Sequence, residues 1–222
     1  MKHLIPVALA LAISGAPAAG ASVVFDNLTD IASIGSDGLS GGNNALAESF
    51  DSPGAMGGGT VVLALLADPN GAGSATVYLV PDDGTGTGVG VAGNPAFTVN
   101  GSGAVDAFTG AQTLGVVDDS SLENTPSPVT FAIPAGSPDG NGEYWIGLLL
   151  SDDSTIGWSY SGDGAGIGTA GQSYFNEATG PGSAPDTQGS YQMTVDIPEP
   201  ATFGIFLSGL AALGFRHRSR RC

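Results

Sequence analysis

The sequence predicts an all-β fold, an antiparallel β-sandwich or jelly-roll-like domain. Short β-branched and aromatic runs alternate with clusters of Gly, Pro, Asn, Asp and Ser through residues 22–197, the pattern of strands joined by tight turns. No stretch combines a helical apolar period with helix caps, so we expect little helix there. Many short strands with regular turn signals are typical of a sandwich or jelly roll.

The candidate strands follow one another at short intervals. In chain order they are residues 22–27, 46–51, 60–67, 75–80, 96–99, 112–117, 128–133, 143–150, 155–160, 172–176 and 190–195. The chain has 37 glycines among 222 residues, more than twice the usual ~7%. Because apolar runs separate the glycine clusters, we predict a turn-rich β-domain and not a disordered segment. The single cysteine is Cys222, so the core must hold without disulfides.

Residues 143–160 form the clearest local unit, which we interpret as a β-hairpin with its turn at 151–154. One face of the first strand carries Tyr144, Ile146, Leu148 and Leu150, and one face of the return strand carries Ile156, Trp158 and Tyr160. Trp145 falls on the face opposite Tyr144. The main interpretation places Trp158 in the core and leaves Trp145 partly exposed. The alternative is an aromatic platform, with Trp145 and Tyr144 as the glycan contacts.

The basic residues lie only at the two ends of the chain. Residues 22–197 contain no Lys, Arg, His or Cys, yet hold all but one of the 21 acidic residues. Nucleic-acid binding is therefore excluded, because contacts to phosphate depend on Lys and Arg. Ser-His-Asp and Cys-His catalysis lack their base, a P-loop lacks its Lys, and zinc lacks its usual ligands. We expect no enzyme, no catalytic residue and no cofactor.

Carboxylates are the remaining candidates for chemistry. A glycosidase would need two of them at a defined separation. Glu48, Glu143 and Glu177 are candidates in principle, but no spacing selects a pair.

Calcium is the cation that oxygen ligands suit best. Asp139, Asn141 and Glu143 have the spacing of the first ligands of a calcium loop, whereas Leu150 stands where the later bidentate Glu would fall. The acidic pairs at 82–83, 118–119 and 152–153 are compatible with ordinary turns. We therefore predict no metal site, with structural Ca²⁺ as the alternative.

The N-terminus has the order of a secretory signal peptide. A charged start is followed by an apolar run at 4–13 and by small residues at 14–21. The motif at 19–21 predicts cleavage between Ala21 and Ser22, with residues 1–21 as signal peptide and the Sec translocon as partner.

The C-terminus has three features in a fixed order. Pro198, Glu199 and Pro200 precede an apolar run at 201–215 and an arginine cluster. A helix over 201–215 would be ~23 Å long, shorter than the ~30 Å hydrocarbon core. The arginines would keep the tail cytoplasmic and the body outside. We expect a hydrophobic helix within a sorting or anchor segment at 198–222, which holds the protein in the membrane before processing.

This tail resembles the PEP-CTERM sorting signal of Gram-negative bacteria, with Pro198, Glu199 and Pro200 as the motif. The resemblance implies processing by an exosortase, a transpeptidase-like membrane enzyme, and an association with extracellular polysaccharide. Residues 23–27, 47–50, 143–148, 157–160 and 190–195 resemble choice-of-anchor R ectodomains. Residues 22–197 are then an exported ectodomain with a structural or adhesive role in exopolysaccharide or biofilm, transiently anchored in the inner membrane. The alternative is a carbohydrate-binding or Ca-stabilised module.

Overall fold

The alternating runs of the sequence form strands in the computed structural model. The structure describes residues 21–28, 35–38, 45–52, 58–84, 93–102, 104–136, 142–161, 166–168, 172–177, 184–185 and 190–198. Within these ranges a 3-10 turn lies at Asp119–Ser121, and the other named elements are strands. Residues Ala21–Pro198 belong to one compact unit. Residues 1–20 of the predicted signal peptide at 1–21 lie outside the described residues, as does the predicted hydrophobic helix at 201–215, whereas Ala21 begins the first strand.

Six strands form the first sheet, which we call sheet I. They are β1 (Ala21–Asp26), β2 (Gly35–Gly38), β4 (Gly59–Leu66), β9 (Ser127–Ile133), β11 (Gly157–Tyr160) and β14 (Met193–Pro198). Their order is β1-β14-β4-β11-β2, with β9 also paired to β4. All of these pairs are antiparallel. The central strand β4 is therefore hydrogen-bonded to three others.

Six further strands form sheet II. In sheet order they are β13 (Ala184–Pro185), β12 (Ser173–Asn176), β3 (Ala45–Asp51), β10 (Glu143–Leu150), β5 (Ser74–Pro81) and β8 (Gln112–Asp118). These pairs are also antiparallel. A separate two-stranded ribbon pairs β6 (Phe97–Val99) with β7 (Val105–Phe108).

The main core lies between the two sheets, which confirms the predicted antiparallel sandwich. Sheet I contributes Val61, Leu63 and Leu65 from β4 and Trp158 from β11, all fully buried. The facing side of sheet II supplies alternate residues of β3, β5 and β10. They are Leu46, Phe50, Ala75, Val77, Leu79, Tyr144, Ile146, Leu148 and Leu150. Burial of these apolar side chains is the main force that holds the two layers together.

A second core lies on the other face of sheet II, where the β6–β7 ribbon packs. Trp145, Val80 and Ala47 of the sheet join Phe108 of the ribbon in this cluster. Gly147 marks the closest approach, because a Cβ there would come within 2.7 Å of the Phe108 ring. Both faces of sheet II are thus buried, and the molecule has a partial third layer.

The predicted hairpin at 143–160 is wrong. Strand β10 belongs to sheet II, where it pairs with β3 and β5, whereas β11 belongs to sheet I and pairs with β2 and β4. The predicted faces are nevertheless right, since Tyr144 and Trp158 both lie in the main core. The two strands bury those faces against each other across the sandwich and are not neighbours in one sheet.

Every predicted strand, including those at 143–150 and 155–160, matches a strand of the structure, with bounds that differ by at most a few residues. The sequence analysis did not predict β2, β7 and β13. Strand β2 reads Gly-Ser-Asp-Gly, and β13 has only two residues, so neither carries an apolar alternation. Strand β7 has only four residues and directly follows a turn.

The glycine-rich segment at 162–168 has one described portion, Gly166 to Gly168, which lies along the free edge of β1. The Ile167 amide donates to the Asp26 carbonyl at 2.8 Å, and the Asp26 amide donates to the Ile167 carbonyl at 2.9 Å. A Cβ on Gly168 would clash with the Val24 carbonyl oxygen, and Gly168 has a φ of +71°. The glycines therefore allow this segment to cover an otherwise open strand edge.

Candidate functional site

Three carboxylates come together at one end of sheet II. Asp51 ends β3, Asp82 directly follows β5, and Glu143 begins β10. In the antiparallel register Glu143 lies opposite Asp51, and Tyr144 lies opposite Pro81. The sheet topology thus places on adjacent strands three acids that are far apart in the sequence. We call Asp51, Asp82 and Glu143 the acidic rim.

Electrostatic repulsion and burial both affect the acidic rim. Burial raises the pKa of the Glu143 carboxyl above its ordinary value, and the charges of Asp82 and Asp51 raise it further. Burial also raises the pKa of Asp51, an effect that a hydrogen bond with the Gln172 side chain partly offsets. With no basic residue anywhere between residues 22 and 197, no cation of the body balances these charges.

The Asp82 carboxylate of the acidic rim accepts three hydrogen bonds from neighbouring parts of the fold. Its Oδ1 accepts the Gly84 amide at 2.7 Å, and its Oδ2 accepts the Gly93 amide at 2.8 Å and the Trp145 Nε1–H at 2.9 Å. The acidic pair at 82–83 therefore closes a loop and orients a buried indole. Such bonding is what Asp offers in turns.

The three calcium candidates cannot be brought together from the described residues. Asp139 and Asn141 lie outside them, and only Glu143 is placed. Among the residues that the structure describes, no group of three His, Cys, Asp or Glu side chains is arranged to hold a metal ion. A Ca²⁺ site at Glu143 would thus depend on ligands from the adjoining 137–141 segment.

The two aromatic residues predicted to contact glycans are both buried. Tyr144 is 2% exposed in the main core, where it stacks on Phe50 with ring centroids 5.9 Å apart. Trp145 is 0% exposed in the second core. The expectation that Trp145 is partly exposed is wrong, because the β6–β7 ribbon covers the face on which it lies. Neither ring presents a face to a sugar in this structure.

The other two glycosidase candidates serve as acceptors for main-chain amides. Glu48 is fully buried on the main-core face of β3, where its Oε2 accepts the Tyr191 amide at 2.9 Å. Glu177 accepts the Ala45 amide at 3.0 Å and the Val105 amide at 2.6 Å with its two oxygens. Glu177 thereby ties the ribbon to β3.

Asp119 performs a similar task at the turn where β8 ends. It is fully buried, and its carboxylate accepts the Ser154 hydroxyl, the Thr155 amide and the Thr155 hydroxyl at 2.8–2.9 Å. The Asp119 amide in turn donates to the Gly73 carbonyl at 3.0 Å. Three loops are thus joined at Asp119, including the crossover from β10 to β11.

Sequence reasoning missed a buried polar cluster that secures the start of β14. The Asn27 Nδ2 donates to the Ser190 Oγ at 2.9 Å and to the Tyr191 carbonyl at 3.1 Å, while the Asn27 Oδ1 accepts the Met193 amide at 2.7 Å. The Gln192 Oε1 accepts the Ser159 hydroxyl at 2.7 Å. These partners are separated by up to 166 residues, so no local signal in the sequence reveals them.

The first and last described strands bring the two predicted processing points side by side. Ala21 lies opposite Pro198 and Ser22 opposite Ile197 in the antiparallel β1–β14 pair. Pro198 is exposed at the end of β14. Glu199 and Pro200 lie outside the described residues, so the sorting motif is placed through Pro198 alone.

The fold and its termini define a class of protein: an antiparallel β-sandwich whose last strand runs directly into a C-terminal sorting segment. Residues 196–221 match the PEP-CTERM protein-sorting motif. The chain thus carries a PEP-CTERM protein-sorting motif, which implies export, processing by an exosortase and direction to the cell envelope or surface.

Other comparisons add little to this assignment. No curated protein matches the sequence. One solved structure is similar, that of the cysteine protease and lectin-like domains of Cwp84, a surface layer associated protein of Clostridium difficile. The identity is 11%, the TM-score is 0.36, and the match covers 71% of this chain and 33% of that chain. Within the described residues, no helix is long and apolar enough to cross a membrane.

Proposed function

We propose that this protein is a non-enzymatic structural or adhesive component of the cell surface or extracellular matrix of a Gram-negative bacterium, acting in exopolysaccharide or biofilm. The observation that carries the proposal is the PEP-CTERM motif at residues 196–221. An exosortase separates a body from its sorting tail, so the exported sandwich is what acts at the surface. The choice-of-anchor R resemblance of the ectodomain remains part of this proposal.

The use of the carboxylates supports a structural role. Enzymes that rely on acids need carboxyl groups free to reach a substrate. Here Glu177, Asp119 and Asp82 direct their oxygens to main-chain amides and neighbouring side chains. Together with the lack of His, Lys, Arg and Cys in residues 22–197, this supports a body without a catalytic site.

The test is deletion of the gene in its host, followed by measurement of surface attachment and matrix polysaccharide. We expect the deletion to reduce attachment and the full-length chain to restore it. A chain that ends at Pro198 keeps the sandwich and lacks the sorting segment, and it should be exported without restoring attachment. Unchanged attachment after deletion, or full rescue by the truncated chain, would contradict the proposal.

A calcium-stabilised body is the second candidate, and the acidic rim is the observation that favours it. Burial raises the pKa of Glu143, the charges of Asp82 and Asp51 raise it further, and Ca²⁺ with oxygen ligands would offset the repulsion among the three carboxylates. The test is calorimetric titration of the purified body with Ca²⁺, with Mg²⁺ as control. Heat of binding and a higher Tm support it, and an Asp139→Asn, Glu143→Gln variant should lose both. No heat and no change in Tm with Ca²⁺ would remove this candidate.

A further inference from the structure

The β6–β7 ribbon turns at an Asn-Gly pair whose side-chain amide is held by the turn itself. The Asn100 Oδ1 accepts the Ser102 amide at 3.0 Å, the Ser102 hydroxyl at 2.6 Å and the Ala104 amide at 3.1 Å. The Asn100 amide donates to the Ala104 carbonyl at 2.8 Å. Three donors thus converge on a single carbonyl oxygen, which has two lone pairs.

The residue after Asn100 leaves the adjoining backbone nitrogen open. Gly101 is exposed, and a Cβ built on it would meet nothing within 4 Å. Because glycine has no side chain, nothing of its own screens its nitrogen from the Asn100 side chain. Asn100 and Ser102 are exposed as well, so water reaches the turn. The pair therefore combines an accessible nitrogen with a carbonyl group that three donors polarise.

We propose that Asn100-Gly101 is a self-modification site, at which the chain closes a succinimide ring and deamidates without an enzyme. The attack of the Gly101 nitrogen on the Asn100 Cγ is intramolecular, between adjacent residues. As that bond forms, negative charge develops on the Asn100 Oδ1. The Ser102 and Ala104 donors already surround this oxygen, as preorganised donors surround the oxyanion in acyl transfer.

The reaction needs water and no other reagent. The bond between the Gly101 nitrogen and the Asn100 Cγ forms as the Gly101 amide proton passes to hydroxide. The Cγ–Nδ2 bond breaks, and the leaving nitrogen takes a proton from water and departs as ammonia. A second water then adds to one of the two ring carbonyls and opens the ring. The product at position 100 is aspartate or isoaspartate, and either adds a negative charge to a body without Lys or Arg.

A second Asn-Gly pair lies in surroundings that oppose the same reaction. The Asn70 Nδ2 donates to the Asp68 Oδ1 at 3.0 Å, and the Gly71 amide donates to the Asp68 carbonyl at 2.8 Å. The attacking nitrogen is thus engaged, and the Asp68 carboxylate repels negative charge that develops on the Asn70 side chain. Asn70 should therefore persist where Asn100 reacts. In the third pair, Asn141 lies outside the described residues.

Isoaspartate at position 100 should loosen the layer that covers Trp145. Aspartate still presents an oxygen to the Ser102 and Ala104 donors, whereas isoaspartate carries the main chain through the former side chain and removes the cap of the turn. Val105 and Phe108 of the ribbon pack with Trp145 in the second core. We therefore expect a red-shifted tryptophan emission in the separated isoaspartyl form. Emission identical to that of the unmodified protein would contradict this consequence.

The test follows deamidation at Asn100 and Asn70 in the purified full chain at mildly alkaline pH. Mass-spectrometric mapping of chymotryptic peptides gives both rates, since residues 22–197 offer trypsin no Lys or Arg. We expect Asn100 to react at least about tenfold faster than Asn70 in the folded protein, a difference of ~1.4 kcal/mol in activation free energy. In concentrated urea, where neither set of contacts persists, the two rates should become similar.

A pair of hydroxyl deletions tests the donors directly. Ser102→Ala removes the 2.6 Å donor and should slow reaction at Asn100 by about threefold or more, less than in a dry enzyme site because water replaces part of the donor. Thr98→Ala is the matched control, because the Thr98 hydroxyl donates to the Ala107 carbonyl of the same ribbon, and it should react at the wild-type rate. Equal rates at Asn100 and Asn70 in the folded protein, a difference that persists in urea, or a wild-type rate for Ser102→Ala would each overturn the proposal.

Discussion

The Trp145 Nε1–H donates a 2.9 Å hydrogen bond to the Asp82 Oδ2, which joins an indole in the second core to the acidic rim. The Trp145 ring is fully buried under the β6–β7 ribbon, beside Phe108 and Phe175. A residue whose position in the strand pattern suggested a binding platform thus stabilises the fold. The same bond helps to hold the Asp82 carboxylate near those of Asp51 and Glu143.

Replacement of this indole should destabilise the sandwich. Trp145→Phe removes the bond to Asp82 and leaves unfilled volume, so we expect the free energy of unfolding to fall by ~2–3 kcal/mol. Urea denaturation followed by circular dichroism measures the change. Val116→Ala is the control, because Val116 is 61% exposed and its truncation should cost less than ~0.5 kcal/mol. A similar small cost for Trp145→Phe would contradict the assigned packing.

Loss of the Asp119 carboxylate should loosen the crossover between β10 and β11. Asp119→Ala leaves Ser154 and Thr155 without their acceptor, and we expect a loss of ~3 kcal/mol or more. Its neighbour offers the control, since Asp118 is exposed and its side chain does not cap the adjacent turn. Asp118→Ala should cost less than ~0.5 kcal/mol. Equal costs for the two variants would show that Asp119 does not hold the loops.

Substitution of Gly84 and of Gly168 should distinguish the cost of a left-handed backbone from the cost of a steric clash. Gly84 and Gly168 have nearly the same φ, +72° and +71°, but a Cβ on Gly84 meets nothing within 4 Å whereas a Cβ on Gly168 clashes with the Val24 carbonyl. Gly84→Ala should cost only the ~1–2 kcal/mol of a left-handed alanine. Gly168→Ala should cost more and should also expose the edge of β1. Faster hydrogen exchange at the Asp26 amide in Gly168→Ala would show this, and unchanged exchange would argue against an edge cover.

Glu143 and Asp51 should contribute more to the free energy of unfolding in acid than at neutral pH. The folded-state pKa values of Glu143 and Asp51 are raised, so the folded protein binds more protons than the unfolded chain between the ordinary and the raised values. Their contribution to the free energy of unfolding therefore falls as pH rises through that window. An Asp51→Asn, Glu143→Gln variant should be more stable than wild type at pH 7. That advantage should disappear below pH ~4, where the ordinary carboxyl is protonated. Parallel pH profiles for the two proteins would contradict this.

Local patterns allowed the strands and their inward faces to be predicted. Trp158 lies in the main core as expected, and Tyr144 lies there together with Ile146 and Leu148 of its predicted face, because alternation along a strand depends only on the chain itself. The predicted pairing of those two strands in a hairpin was wrong. A short acidic turn at 151–154 is compatible either with a hairpin or with a crossover between sheets, and the choice depends on which partners bury more apolar surface.

For the exposure of side chains, too, the sequence predicted which face of a strand each residue occupies but not whether that face meets water. The sequence placed Trp145 and Tyr144 on opposite faces, and they are on opposite faces. Whether the outer face meets water depends on a ribbon more than thirty residues away in the chain, of which β7 had no recognised strand signal. The acidic rim was likewise beyond local reasoning, because Asp51, Asp82 and Glu143 become neighbours only through the strand order.

The sequence by itself determined the destination of this protein and the class of its fold. Export and sorting signals are linear, being read from an extended chain by charge, apolar length and a short motif, and strand propensity is nearly as local. Tertiary structure alone decided what each acid and aromatic does, because burial and hydrogen bonding depend on partners distant in the chain. It also decided that Ala21 lies opposite Pro198, so that the start of the first strand lies beside the first residue of the Pro-Glu-Pro motif.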